Sequence, residues 1–272
     1  MKAPRELPNV LVVGGLDPGG GAGVLADARA VTRAGAFACA IVAVQTVQST
    51  RGLTRAEPVA RELWTEQARV VLRDQRVRAM KTGALGSVEN VRAMIAMARA
   101  HPRIPLVVDP VMTPTRAAGR ATRLLDARAM DAMRELVARA TVVTANADEA
   151  AALTGHRVEN VRDARLAASA LVALGARAAL VKGGHVGARD APRAVDVLVT
   201  RRATLVLSRR RIHTPRPLHG AGCVLASLVA ARLALGDDVA SAARFAKRVH
   251  HAAIARAADV GGDLLVLAPL AR

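Results

Sequence analysis

Short aliphatic runs without polar alternation recur along the chain, separated by longer stretches of helical period. Residues 9–13 form the first run and end in Gly14-Gly15. Residues 38–44, 77–81, 105–108, 141–144 and 178–181 repeat the theme. Such runs predict strands buried on both faces, as in a parallel sheet. Between them the spacing predicts helices over 24–34, 60–74, 88–100, 123–138 and 164–174, and another opening at Asn146. An apolar run after Cys223 reads as a helix through Ala231, and 239–257 as a final long one. Segments 196–200 and 204–208 alternate and predict an antiparallel hairpin at a sheet edge. Strand and helix alternate, and polar or glycine-rich residues recur at strand carboxyl ends. That order predicts an α/β fold: a doubly wound, mostly parallel sheet flanked by helices on both faces, in three layers, with a site along one edge. With no repeat and no low-complexity linker, one domain over 1–272 is the economical expectation.

Composition narrows the function classes. Just over half of the 272 residues are apolar, yet the only aromatics are Phe37, Trp64 and Phe245. The formal charge is +18, which raises nucleic acid as a partner. The charge is scattered arginine, with lysine only at positions 2, 81, 182 and 247. Without clustering or aromatic platforms, no nucleic-acid partner is expected. Two isolated cysteines, Cys39 and Cys223, fit a reducing cytoplasm. The first apolar run is too short for a signal peptide and no run approaches membrane-spanning length, so no membrane partner is expected.

Candidate chemistry sits at the predicted strand ends. His219-Gly220-Ala221-Gly222-Cys223 opens a helix. Glycines there let backbone N–H groups converge, and the helix dipole adds to an anion site. Cys223 falls in the first turn, where the positive helix end favours thiolate. The loop 16–23 is glycine-rich but is neither a Walker A loop nor a dinucleotide fingerprint. It would let a flat ligand approach the backbone. Gln48, in a polar loop 45–52 after the second strand, offers the donors and acceptor that suit an aminopyrimidine edge. Asp109 ends a strand where a carboxylate can meet Mg²⁺ or a substrate hydroxyl. Asn146 and Glu149 open a helix, where polar and acidic residues commonly serve as caps.

Seven motifs in order carry a family resemblance. They are Gly15-Leu16-Asp17-Pro18-Gly19-Gly20-Gly21-Ala22-Gly23 with Asp27, then Gln48-Ser49-Thr50-Arg51-Gly52, and Lys81-Thr82-Gly83. Asp109-Pro110-Val111-Met112, Asn146-x-x-Glu149, Lys182-Gly183-Gly184-His185 and the His219–Cys223 stretch complete them. From about residue 10 to 257, the chain resembles the hydroxymethylpyrimidine and phosphomethylpyrimidine kinases of thiamine biosynthesis, within the ribokinase-like superfamily. The resemblance implies a ribokinase-like fold and an ATP- and Mg²⁺-dependent kinase. Its substrate would be 4-amino-5-hydroxymethyl-2-methylpyrimidine and then its monophosphate. It implies a homodimer. By the same resemblance, Gly15, Asp17, Ala22, Gln48 and Ala84 would meet the pyrimidine, and Asp27 would polarise its exocyclic groups. Lys182, His219 and Asn146 would meet ATP, and Glu149 and Asp109 the metal. Gly220, Ala221 and Gly222 would take up developing negative charge, and Cys223 would accept the hydroxyl proton. Departures from the family pattern include Leu16, Gly19, Ala84, Ala145, Ala221, the segment 113–123 and the tail after Asp259. A pyridoxal kinase, which shares the Gly-x-Gly-Cys ending, and a non-catalytic pyrimidine- or nucleotide-binding regulatory protein are the alternatives.

Overall fold

A computed structural model describes residues 6–112, 129–184 and 191–267. Its first strand, β1 (Asn9–Leu16), lies inside the main sheet, and Val10 to Val13 are fully buried. The other strands are β2 (Phe37–Ser49), β3 (Gly52–Pro58), β4 (Val77–Thr82), β5 (Leu106–Val108), β6 (Val142–Ala145), β7 (Ala178–Val181), β8 (Arg193–Thr200) and β9 (Thr204–Arg210). They form one nine-stranded sheet in the order β3-β2-β1-β4-β5-β6-β7-β8-β9. From β2 to β7 every pairing is parallel, while β3, β8 and β9 run antiparallel at the two edges. The order reverses across β1, where β2 lies on one side and β4 on the other. Open α/β sheets form their ligand crevice at such a switch point.

Alternate side chains of β1 feed opposite faces. Leu11 and Val13 join a core with Trp64, Met94, Met133 and Leu171. These residues come from α2 (Arg61–Asp74), α3 (Val88–Ala100), α4 (Met130–Val137), α5 (Ala147–Thr154) and α6 (Val161–Ala173), or lie against them. Val10 and Val12 join the opposite core, under α1 (Gly23–Arg33), α7 (Ala221–Ala234) and α8 (Val239–Ala255). The three-layer arrangement follows. Helix α7 is apolar almost all round because α1, α8 and the sheet enclose it.

Two local differences from the sequence expectations matter. The stretch 45–49 is not loop: β2 runs on to Ser49 and pairs back with β3 as a hairpin. Gln45, Val47 and Ser49 are exposed while Thr46 and Gln48 are half-buried, the alternation of a strand open to solvent on one side. Short strands β10 (Leu218–His219), β11 (Ala258–Asp259) and β12 (Leu265–Val266) also form a small second sheet that two-residue signals cannot announce. The expected helix over 123–138 is seen as α4, and residues 123–128 lie outside the described ones, as does His185. Among the described residues, no helix is long and apolar enough to cross a membrane.

Candidate active site

The carboxyl ends of β1, β4, β5, β6 and β7 converge on the start of α7. Near β1, the glycine loop is folded around Asp17. Its Oδ1 accepts the Gly19 N–H at 2.9 Å and its Oδ2 the Ala22 N–H at 2.8 Å. His219 Nε2 lies 2.8 Å from Asp17 Oδ2 and 3.2 Å from Gln48 Nε2. Burial works to raise the Asp17 pKa, but the His219 and backbone hydrogen bonds outweigh it and hold the carboxyl below its usual value. His219 is buried, and its Nδ1 has no hydrogen-bond partner among the described residues. Two glycines make this closeness possible. A Cβ on Gly220, which has φ +74°, would lie 2.0 Å from the Gly21 carbonyl oxygen. One on Gly21 would lie 2.3 Å from the His219 ring. Gly15 and Ala84 face each other across an apolar floor shared with Leu53 and Val111.

A second cluster stands beyond it. Lys182, after β7, places Nζ 3.0 Å from Asp109 Oδ1 and 3.5 Å from Glu149 Oε2. Thr144 donates its hydroxyl to the same Asp109 oxygen at 3.3 Å, while Asp109 Oδ2 is buried with no partner among the described residues. Burial opposes charge on Lys182, but Asp109 and Glu149 hold its pKa above the usual lysine range. Burial and the Asp109 charge push the Glu149 carboxyl up, against the pull of Lys182. A Cβ on Gly222 would sit 3.1 Å from Lys182 Nζ, so this ammonium lies against the glycine turn. Asn146 and Glu149 also make a capping box: Asn146 Oδ1 accepts the Glu149 N–H, and Glu149 Oε2 the Asn146 N–H, both at 2.8 Å.

Cys223 lies between the two clusters on the first turn of α7, half-buried. The expected thiolate is corrected by its surroundings. Burial, joined by the Asp27 and Asp109 carboxylates, pushes the thiol up to about 12, against the pull of Lys81. Asp27 also departs from its expected place. It is fully enclosed, and its oxygens take Lys81 Nζ at 2.8 and 3.0 Å and the Ser227 hydroxyl at 2.7 Å. Burial pushes its carboxyl up and works against the Lys81 charge, yet Asp27 above all holds Lys81 protonated. Both partners of this pair are buried.

The structure thus gathers Asp17, Ala22, Gln48 and His219 on one side and Asp109, Asn146, Glu149, Lys182 and Gly222 on the other. His219, matched to the nucleotide by the resemblance, stands beside Gln48 and Asp17, which the resemblance matched to the pyrimidine. Thr144 and Ser227 also enter these clusters through their hydroxyls. Nothing in their local sequence marks them, because long-range pairing alone brings them in. Among the described residues no group of three or more His, Cys, Asp or Glu side chains converges as a metal cage. One or two carboxylates with an unpartnered oxygen do suit a Mg²⁺ that is shared with phosphates.

Comparison with known proteins finds relatives over most of the chain. The family described as phosphomethylpyrimidine kinase matches residues 17–266. A hydroxymethylpyrimidine/phosphomethylpyrimidine kinase of Streptomyces coelicolor is 40% identical over 262 residues, covering 96% of this chain and 94% of that protein. The chain also spans about half the length, 52%, of a thiamine biosynthesis bifunctional protein of Geobacter sulfurreducens, at 38% identity. Among solved structures, an ADP complex of Bacillus subtilis pyridoxal kinase superposes with TM-score 0.85 at 27% identity, covering 97% of this chain and 99% of that one. A phosphomethylpyrimidine kinase from Clostridium difficile gives TM-score 0.77 at 28% identity, covering 92% and 100%.

Proposed function

The chain belongs to the phosphomethylpyrimidine kinase family, and from that premise we propose how its residues serve the reaction. As a hydroxymethylpyrimidine/phosphomethylpyrimidine kinase, it moves the terminal phosphoryl group of ATP to the hydroxymethyl oxygen of the pyrimidine, and then to the phosphate of that product. Gln48 meets the aminopyrimidine edge, with Asp17 and His219 fixing the wall beside it. Gly15 and Ala84 let the flat ring lie on the backbone. Lys182 neutralises transferring phosphate oxygens, and the N–H groups of the glycine turn receive developing negative charge. Asp109, through its unpartnered Oδ2, and Glu149 would hold Mg²⁺, which when bound neutralises phosphate charge. Cys223, once its own proton has left to solvent, takes the hydroxyl proton as a thiolate. Its high pKa makes it a thiol at rest and a strong base once ionised.

The observation that carries this is the junction of Lys182, Asp109 and the glycine turn beside the Asp17–His219–Gln48 wall. Phosphorus NMR of a mixture of the protein, ATP, Mg²⁺ and the pyrimidine alcohol tests it. A phosphomonoester signal, then a diphosphate, is expected, with loss of the γ-phosphate. ATP left intact would overturn it. The close superposition on a pyridoxal kinase gives a second reading of the acceptor. Parallel assays decide: a tenfold or better preference for pyridoxal in kcat/KM, about 1.4 kcal/mol, would reassign the substrate. A homodimer and a cytoplasmic location complete the proposal, and neither changes the chemistry.

A further inference from the structure

Behind the Lys182 loop lies another buried polar cluster that the reaction as described does not use. Lys247 on α8 and Asp196 on β8 form an ion pair of 2.8 Å, with side chains only 9% and 4% exposed. The other Asp196 oxygen accepts the Gly183 N–H at 2.8 Å. Gly183 directly follows Lys182 and is pressed onto β8. A Cβ there would lie 1.6 Å from the Val195 carbonyl oxygen, so no other residue fits. Three positions along α8 from Lys247, on the same helix face, His250 Nε2 lies 2.9 Å from the Ala221 carbonyl oxygen. A carbonyl only accepts, so Nε2 carries the hydrogen. One helix face therefore holds both walls of the phosphate site: the loop that carries Lys182 and the turn that carries Gly222.

Composition supports a specific need at Lys247. Lysine occurs at four positions, against 40 basic residues in all. The three described lysines, Lys81, Lys182 and Lys247, each sit in a buried or largely buried ion pair. Arginine has taken almost every other basic position. A compact ammonium serves these three sites in a way that a planar guanidinium fork does not.

We propose that Lys247, Asp196 and His250 are positioning residues for phosphoryl transfer. Through them α8 sets the spacing between the Lys182 ammonium and the glycine turn. The proposal rests on reading that junction as the phosphate site. Lys247→Met alone leaves Asp196 charged and buried, and can fail to fold. The informative variant is Asp196→Leu/Lys247→Met, which removes both charges and leaves apolar groups in their place. Calorimetry with AMP-PCP and with the pyrimidine alcohol, steady-state rates, and amide exchange at Gly183 are the readouts. We expect a folded double variant with faster exchange at Gly183 and about tenfold weaker AMP-PCP binding. Its kcat should fall by about 10²-fold, as for a displacement of roughly an ångström, with pyrimidine affinity unchanged. His250→Leu should lower kcat about tenfold, and His250→Gln, which restores a donor to Ala221, should recover it. Unchanged AMP-PCP affinity and kcat in the double variant, or an equal loss of affinity for both ligands, would overturn the proposal. Should the wild type bind AMP-PCP yet transfer no phosphate, the kinase reading fails while Gly183 exchange and AMP-PCP affinity still decide the role of α8.

Discussion

Cys223 shows how far a single residue's chemistry depends on what surrounds it. The helix start and adjacent glycines argue for a reactive thiolate, but burial and two carboxylates hold the thiol up at about 12. Below that value the thiolate fraction grows tenfold per pH unit. With chemistry limiting, kcat should therefore climb with pH from about 6 to 9 without a plateau. Iodoacetamide should react slowly at neutral pH and progressively faster above it. Cys223→Ser should lower kcat by roughly 10²–10⁴ and leave both KM values nearly unchanged. A flat pH profile, or a fully active serine variant, would make Cys223 a packing residue. Gln48 offers a second test at this scale. Gln48→Leu should raise the pyrimidine KM by about one to two orders of magnitude, from a lost pairing worth roughly 1–3 kcal/mol, and spare the ATP KM. Equal effects on both would make Gln48 structural. Residue type and position were legible from the chain here, whereas the state of the Cys223 proton was not. That state depends on Asp27 and Asp109, which are distant in sequence and close only in the fold.

Two elements, α1 and α8, pack against α7, α1 through the buried Asp27 carboxylate and α8 through the His250 imidazole. On α1, Asp27 binds Lys81 of β4 and Ser227 of α7. Lys81→Met should cost about 3–5 kcal/mol in a urea melt, because it strands Asp27. Lys81→Met/Asp27→Leu should recover most of that loss, and a double variant no more stable than the single one would contradict this account. On α8, burial and the Lys247 and Lys182 charges push His250 down to about 4, against the pull of Asp196 and of the Ala221 carbonyl. Its folded pKa thus lies below the value of about 6.5 in an unfolded chain. The unfolded state binds more protons between these values, so the stabilising contribution is complete above about pH 6.5 and lost as pH falls towards 4. His250→Gln should flatten that part of the stability profile. Strand and helix identities were readable because short unbroken aliphatic runs mark the buried strands and a helical period marks the segments between them. The β2–β3 hairpin was not, since an exposed edge strand and a polar loop share one composition.

For the whole molecule, scattered arginine and the absence of aromatic platforms outweigh the formal charge of +18. Weak attraction to duplex DNA at low salt is expected, with no sequence preference, and it should vanish near 0.15 M salt, where screening acts within about 8 Å. Retention of DNA at that salt would show an organised basic surface. The ordering of motifs announced the layered fold, because each strand delivers its residues to the same edge. The cross-chain braces were silent in the sequence. Asp17 and His219 stand 202 positions apart, and Asp27 and Ser227 stand 200 apart. A ribosome adding about 5–20 residues per second takes on the order of 10–40 s to cover such a distance. Throughout that interval Asp17 lacks His219, and Asp27 lacks Ser227. The glycine turn proposed to bind phosphate emerges after the main sheet's last strand, so a partly made chain should hold no working site.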